Sequence, residues 1–310
     1  RIDEDAQLLV KVLGLQLPLE TISPLILGTR FLEESAEIDP VVYEKRILEA
    51  YEKASRNMDL MLIEGPYNLG IGTSFGLDPA TISKRLGSAL VLVSQIENDS
   101  SVDQIIWAKR ALDAARSHLM GVILCRVPKT DVERVRNFAV AALKRNGIHV
   151  LGIVPDNVAL RAPTVRELCD KTHCTILTGE ENLDNLVEDF LVGAMTPESA
   201  LSYFRRSMRK AVITGGDRTD IQLVALQTDV SALVLTGNYY PDVRVLSRAE
   251  ELGVPVLLVP TDTYTTVMGI ANLTGRIKPS DTKKIEAALQ CVGEHVDWET
   301  ILHKLVPKGE

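Results

Sequence analysis

No apolar run in this sequence approaches the ~18–20 residues that a membrane-spanning helix needs, and its first residues show no secretory pattern. Neither membrane insertion nor export is expected, and the chain reads as cytoplasmic. Basic residues are the minority, 34 Lys and Arg against 42 Asp and Glu, for a net charge of -8. An acidic balance without a basic stripe argues against a nucleic-acid clamp, whose affinity rests on neutralising phosphates. Cysteine is scarce, four residues in all, so no disulfide framework is expected. The one compact group, Cys169, His173 and Cys174, lacks a fourth ligand and a C-x-x-C pair. Zinc is therefore not expected there, and helix-to-strand packing is the better reading. The five histidines are scattered with no nucleophile at a recognisable spacing, which speaks against Ser-His-Asp and Cys-His mechanisms. Also missing is Gly-x-x-x-x-Gly-Lys-[Ser/Thr], the phosphate loop. Gly70, Gly72 and Gly76 miss the dinucleotide fingerprint by one place.

What is present is ordinary globular material: 310 residues, 45% apolar and 25% charged, a length that suggests two domains. Short β-branched apolar runs alternate with helical segments. Asp39-Pro40 and Asp78-Pro79 each place an acid and a proline at a helix start. Strands are predicted at 60–63, 89–93, 121–124 and 150–154, with helices at 40–57, 79–86, 102–116 and 131–144. Continuous apolar strands between helices imply a parallel sheet covered on both faces, a doubly wound α/β domain. Connecting helices are expected at 164–170 and 182–192. A second α/β unit is predicted from strands 211–214, 232–236 and 254–259, with helices at 220–227, 242–252 and 264–273. Two further helices, 280–292 and 297–305, end the chain. The domain boundary is expected near residue 195, giving domains 1–194 and 195–310.

Ligands in such sheets bind beyond the carboxyl ends of the strands. Glu64 stands at one such end, followed by Gly65 and, three residues on, Asn68. A carboxylate there suits magnesium coordination or the positioning of water. It equally suits a helix cap or a pairing with a base. At a second strand end stand Gly215, Gly216, Asp217, Arg218, Thr219 and Asp220. Two glycines allow a tight turn, the helix start favours an anion, and Arg218 offers a bidentate contact. The alternative is structural, with Asp217 or Thr219 capping the helix and Arg218 paired to an acid. Tyr239, Tyr240 and Pro241 line a cleft or fill a partner surface, whereas Trp107 and Trp298 read as packing residues.

The stretch 60–155 resembles the amidoligase-type P-loop domain of dethiobiotin synthetase. The likeness rests on a strand ending Glu64-Gly65, the apolar strands at 89–93 and 121–124, and the run from Val150 to Pro155. Residues 196–300 resemble the DRTGG domain through Thr214-Gly215-Gly216-Asp217-Arg218-Thr219 and the run from Pro255 to Pro260. In this order the two are similar to the N-terminal, non-catalytic region of long bacterial phosphotransacetylases and to free-standing proteins of that family. In the family the phosphate loop lies on the first strand, ahead of what is Arg1 here. The resemblance therefore implies a P-loop NTPase-like sheet lacking its first strands. ATP with magnesium follows if such a loop precedes Arg1, with Glu64 as the metal carboxylate, and no cofactor otherwise. The asparagine that reads adenine falls at Cys125, a poor substitute for a two-way hydrogen-bonder. Asp220 replaces the first of the two trailing glycines that name the second domain.

These readings lead to a non-catalytic regulatory or ligand-sensing protein, a homodimer responding to a nucleotide or a phosphorylated metabolite. Two alternatives stay open. One is an ATP-dependent carboxylate-activating ligase with its phosphate loop upstream. The other is a structural subunit that meets a protein partner in a larger complex.

Overall fold

The computed structural model describes residues 4–28, 30–35, 39–271 and 273–305. Two compact units divide the chain, residues 1–156 with 278–310, and residues 157–277.

In the first unit α1 (Glu4–Leu13), α2 (Pro40–Ala54) and α3 (Pro79–Leu86) precede a parallel sheet. Both Asp-Pro signals work as predicted. Asp39 accepts from the Val41 N–H, Asp78 accepts from those of Ala80 and Thr81, and each proline has no N–H to leave unpaired. The sheet is β1 (Leu90–Gln95), β2 (Leu119–Val127) and β3 (Val150–Pro155), in the order β1-β2-β3. Helix α4 (Ser100–Ala114) links β1 to β2, and a π turn at Val135–Ala139 leads into α5 (Val140–Arg145) ahead of β3. One face of the sheet buries Val122 and Leu124 against Ile105, Val135 and Leu143. The other buries Met120 and Leu151 against Val296 and Ile301. Those last two belong to the end of the chain, where α11 (Thr282–His295) and α12 (Trp298–Leu305) return to this unit. Asp297 donates its N–H to the Leu151 carbonyl at 2.8 Å. The strand expected at 60–63 is absent: these residues carry no sheet assignment, and Leu62 is 75% exposed. A strand needs a neighbour to take its backbone hydrogen bonds, and none is paired to this run among the described residues.

The second unit holds a five-stranded sheet in the order β4-β8-β7-β6-β5. Its strands are β4 (Thr175–Thr178), β5 (Asp189–Val192), β6 (Lys210–Gly215), β7 (Val230–Thr236) and β8 (Val256–Leu258), all parallel except β4. Side chains alternate between two cores. Val212, Leu233 and Leu235 enter one, beneath α7 (Pro197–Phe204), α8 (Thr219–Ala225) and α9 (Val243–Leu252). Ala211, Ile213, Ala232 and Val234 enter the other, beneath α6 (Val165–Thr172) and α10 (Thr263–Ile270). Both faces are covered, which is why these strands are apolar at nearly every position.

Two features here depart from the sequence reading. The helix expected at 182–192 is a 3-10 turn, Glu180–Asn182, followed by strand β5, because Phe190, Leu191 and Val192 find partners on β6. The break expected near residue 195 falls between β5 and α7, inside the second unit. Since β4 and β5 hydrogen-bond into the same sheet as β6–β8, the chain is not cut between them. One buried charge escaped the pattern as well. Lys210, at the start of β6, has no exposed surface and donates to the carbonyls of Ser207 (2.9 Å) and Asp229 (2.6 Å). Burial pushes its ammonium below the ordinary lysine value, while Asp229 and Asp189 pull it back up.

Candidate functional site

The first candidate group does not assemble. Glu64 and Gly65 lie in the irregular, exposed stretch 60–68. Asn68 spends its side-chain oxygen on its own turn, accepting the Gly70 N–H at 2.7 Å. No group of three or more His, Cys, Asp or Glu that could hold a metal occurs among the described residues, so Glu64 joins none. With no phosphate-loop sequence in the chain either, the residues present do not by themselves fit an ATP–magnesium site. Cys125 lies at the carboxyl end of β2, half-buried, with its carbonyl accepting from Ile96 at 3.2 Å. Burial pushes its thiol up, against a smaller opposing pull from Arg126.

The second candidate group does come together, at the carboxyl edge of β6 and β7. Gly215 ends β6 as the partner of Thr236 on β7, and the Gly216 N–H donates to the Thr236 carbonyl at 3.1 Å. Gly216 must be glycine for a steric reason: a side chain there would fall on the Tyr239 carbonyl. The loop carrying Tyr239 is itself pinned, with Gly237 N–H to Thr261 (2.8 Å) and Asn238 N–H to Val259 (3.1 Å). Thr236 and Thr263 share a hydroxyl hydrogen bond of 2.7 Å, joining the ends of β7 and the start of α10. Three loops thus converge at this edge, and they leave Tyr239, Tyr240 and Tyr264 exposed.

Gln222, fully buried on α8, locks the turn from below. Its amide nitrogen donates to the carbonyls of Gly215 (2.9 Å) and Gly216 (3.0 Å), and its oxygen is a buried acceptor with no partner among the described residues. Nothing in the sequence marked this residue. Its role depends on the side chain reaching back from inside the following helix, a contact that only the folded turn creates.

Arg218 is held more tightly than an open anion site requires. Its Nε and Nη2 donate to the two Asp220 oxygens at 2.9 and 3.0 Å, and Nη2 also reaches the Met195 carbonyl at 3.0 Å. The hydrogen bond from Arg218 holds the Asp220 carboxyl below its usual range, and Asp220 in turn raises the guanidinium. The backbone is partly committed too, since the Arg218 N–H donates to the Gly215 carbonyl at 3.0 Å. Arg218, at the N-cap of α8, makes no side-chain cap, and among the described residues neither Asp217 nor Thr219 accepts a hydrogen bond from the helix's first N–H groups, so neither plays the capping part that the structural alternative gave it. The pairing of Arg218 with an acid, the other half of that alternative, is present.

Comparison with known proteins assigns both halves. The AAA domain family matches residues 1–164, and the DRTGG domain matches residues 167–273. The phosphate acetyltransferase of Synechocystis sp. is 29% identical over 289 residues, covering 88% of this chain and 41% of that protein. That of Nitratidesulfovibrio vulgaris is 28% identical over 276 residues, covering 84% and 39%. That of Nitrosomonas europaea is 25% identical over 326 residues, covering 98% and 45%. The chain thus spans about two fifths of the length of these relatives. Among solved structures, the CBS and DRTGG regulatory region of Clostridium perfringens pyrophosphatase, complexed with diadenosine tetraphosphate, is 17% identical. It covers 55% of this chain and 86% of that one, at a TM-score of 0.33, too low to carry its geometry across. In the described residues no helix is long and apolar enough to cross a membrane. An α/β unit built on parallel strands, followed by a second with Gly-Gly-Asp-Arg-Thr at a strand end, agrees with these matches: the chain belongs to the AAA domain family and carries a DRTGG domain behind it, the order found in the N-terminal region of phosphotransacetylases.

Proposed function

We propose that this chain is a non-catalytic regulatory region that senses a nucleotide or a phosphorylated metabolite through its DRTGG domain. The observation that carries the reading is the pattern of likeness. The three phosphate acetyltransferases named above match 84% to 98% of this chain within 39% to 45% of their own length. The transfer chemistry of those proteins is then expected in the part without a counterpart here. Within the DRTGG domain the proposal places the ligand at Gly215, Gly216, Asp217, Arg218, Thr219 and Asp220. The glycine turn keeps the carboxyl edge of β6 open, and Arg218 stands above it with Nη1 unengaged among the described residues. An anion either takes that remaining edge or displaces Asp220 from the fork. We propose further that the chain acts as a cytoplasmic homodimer and relays the ligand signal to a protein partner.

The test is a thermal-shift panel of nucleotides and phosphorylated metabolites on the full chain. A ligand at ~100 times its dissociation constant stabilises by about 2.7 kcal/mol, a readable shift. Arg218→Lys keeps the charge and loses the fork, so it should weaken the ligand-induced shift more than it lowers the melting temperature of the unliganded chain, which gives up the contacts to Asp220 and the Met195 carbonyl. The reading is wrong if no such ligand shifts the wild type, or if the variant only melts earlier with its response intact. The same chain should neither hydrolyse ATP nor form acetyl phosphate. Turnover of either kind that Glu64→Gln abolishes would overturn the non-catalytic part.

A further inference from the structure

Cys169 and Cys174 take no part in either candidate site, and their sulfurs are bonded to each other, where the sequence leads one to expect packing alone. The bridge joins the last turn of α6 to the residue ahead of β4, with the two Cα atoms 5.0 Å apart. That spacing is within the ~4.4–6.8 Å that bridged cysteines span.

The backbone brings the two residues together without help from the bond. Thr164 and Glu167 fix the start of α6 by capping each other's backbone N–H, and His173 ends the helix in the left-handed region, at φ 52°. The N–H groups of His173 and Cys174 both donate to the Cys169 carbonyl, the second at 3.2 Å. Two free thiols would remain neighbours there, ready to close again. Both cysteines are half-buried at the rim of the core. Cys125 and Cys291 are unbridged and lie in the other unit.

What the bridge fastens is an edge strand of its sheet. β4 is an edge strand, antiparallel to β8, with paired residues only at Thr175–Leu258, Ile176–Leu257 and Thr178–Val256. Edge strands draw fewer backbone hydrogen bonds and open first. We propose that Cys169 and Cys174 form a reversible thiol–disulfide exchange site whose oxidation state sets how firmly β4 is held. The co-reactants are a dithiol reductant and a low-molecular-weight disulfide oxidant. In reduction, a thiolate of the dithiol attacks one sulfur of the pair, the Cys169–Cys174 bond breaks, and the departing cysteine thiolate takes a proton from water. The second thiol of the reductant then displaces the remaining cysteine. Two electrons pass to the protein, which ends with two thiols, and the reductant ends as a disulfide. Oxidation by glutathione disulfide runs the reverse exchange and releases two molecules of glutathione.

The experiment equilibrates the full chain in glutathione buffers of graded reduced-to-oxidised ratio, traps free thiols by alkylation, and reads the peptide covering 167–178 by mass spectrometry. Hydrogen exchange of 175–178 is measured on the same samples. The expected result is a peptide two hydrogens lighter at the oxidising end and doubly alkylated at the reducing end, crossing over within the series. Exchange at 175–178 should rise at least threefold on reduction in the wild type, and be high at every ratio in the Cys169→Ser/Cys174→Ser double variant. Four results overturn the proposal: double alkylation throughout, a bond that survives native treatment with dithiothreitol, glutathione adducts in place of the internal bond, or exchange at 175–178 that ignores the redox state.

Discussion

Replacing Gly216 with alanine is expected to destabilise the second unit while the same change at Gly269 stabilises it. At Gly216 a Cβ would coincide with the Tyr239 carbonyl oxygen and lie 2.7 Å from its carbon and 2.9 Å from the Tyr239 Cβ. Two of these atoms are backbone, in a loop pinned by hydrogen bonds from Gly237 and Asn238, so relief requires moving the loop or the end of β6. Overpacking of this kind costs about 1–3 kcal/mol, and each pinned hydrogen bond that breaks adds about 0.5–1.5 kcal/mol. With an m-value of ~1–3 kcal/mol per molar urea, the midpoint should fall by roughly 1 M. Gly269 lies inside α10 with nothing within 4 Å of its would-be Cβ. Alanine there should add about 0.5–1 kcal/mol by reducing the freedom of the unfolded chain. The assay is urea unfolding of the full chain, read by hydrogen exchange in β6 and β7 so that the second unit is followed by itself. A Gly216→Ala chain with the wild-type midpoint, or a Gly269→Ala chain that unfolds earlier, would refute the steric argument.

Two other perturbations follow from charge. Lys210→Met should cost about 1–3 kcal/mol, since the Ser207 and Asp229 carbonyls lose their buried donor. Because burial lowers the ammonium pKa from 10.5, the unfolded chain holds that proton more tightly. The contribution of Lys210 to stability should therefore rise as pH climbs through its folded pKa towards 10.5, and chemical denaturation from neutral to alkaline pH should lose that rise in the variant. Asp242 caps α9 with its carboxyl lowered from 3.8 to about 2, by the Arg244 side chain first and its backbone N–H second. Its stabilising part is present above pH 3.8 and fades as pH falls towards about 2. An Asp242→Ala chain should lose least against the wild type at the acid end, and a stability gap that stays constant from pH 5 to pH 2 would count against the cap.

Much of the fold was legible because local signals and packing agreed. The acids and prolines at 39–40 and 78–79 cap helices through their own side chains and need no distant partner. The runs that became β6, β7 and β8 are apolar at nearly every position because both faces of that sheet are covered. The candidate site was legible to the extent that glycines and an arginine at a strand end are visible in one dimension. The grip of Gln222 on the turn, and the contact between Gly216 and Tyr239, were not, because they join residues brought together only by the sheet.

By itself, then, the sequence determined the alternation of strand and helix, the acidic balance and the two-part likeness to known domains, since these depend on residue order and composition. The tertiary structure decided what each segment pairs with. Apolar residues at 60–63 remain outside any sheet for want of a partner, while Phe190, Leu191 and Val192 become a strand because β6 offers one. The same physics sends α11 and α12 back to the first unit: one face of β1-β2-β3 is apolar, and Val296 and Ile301 cover it. Arg218 faces Asp220, and Cys169 meets Cys174, for a related reason. Short-range partners are chosen by the backbone turn between them, and the turn is set by the elements it connects.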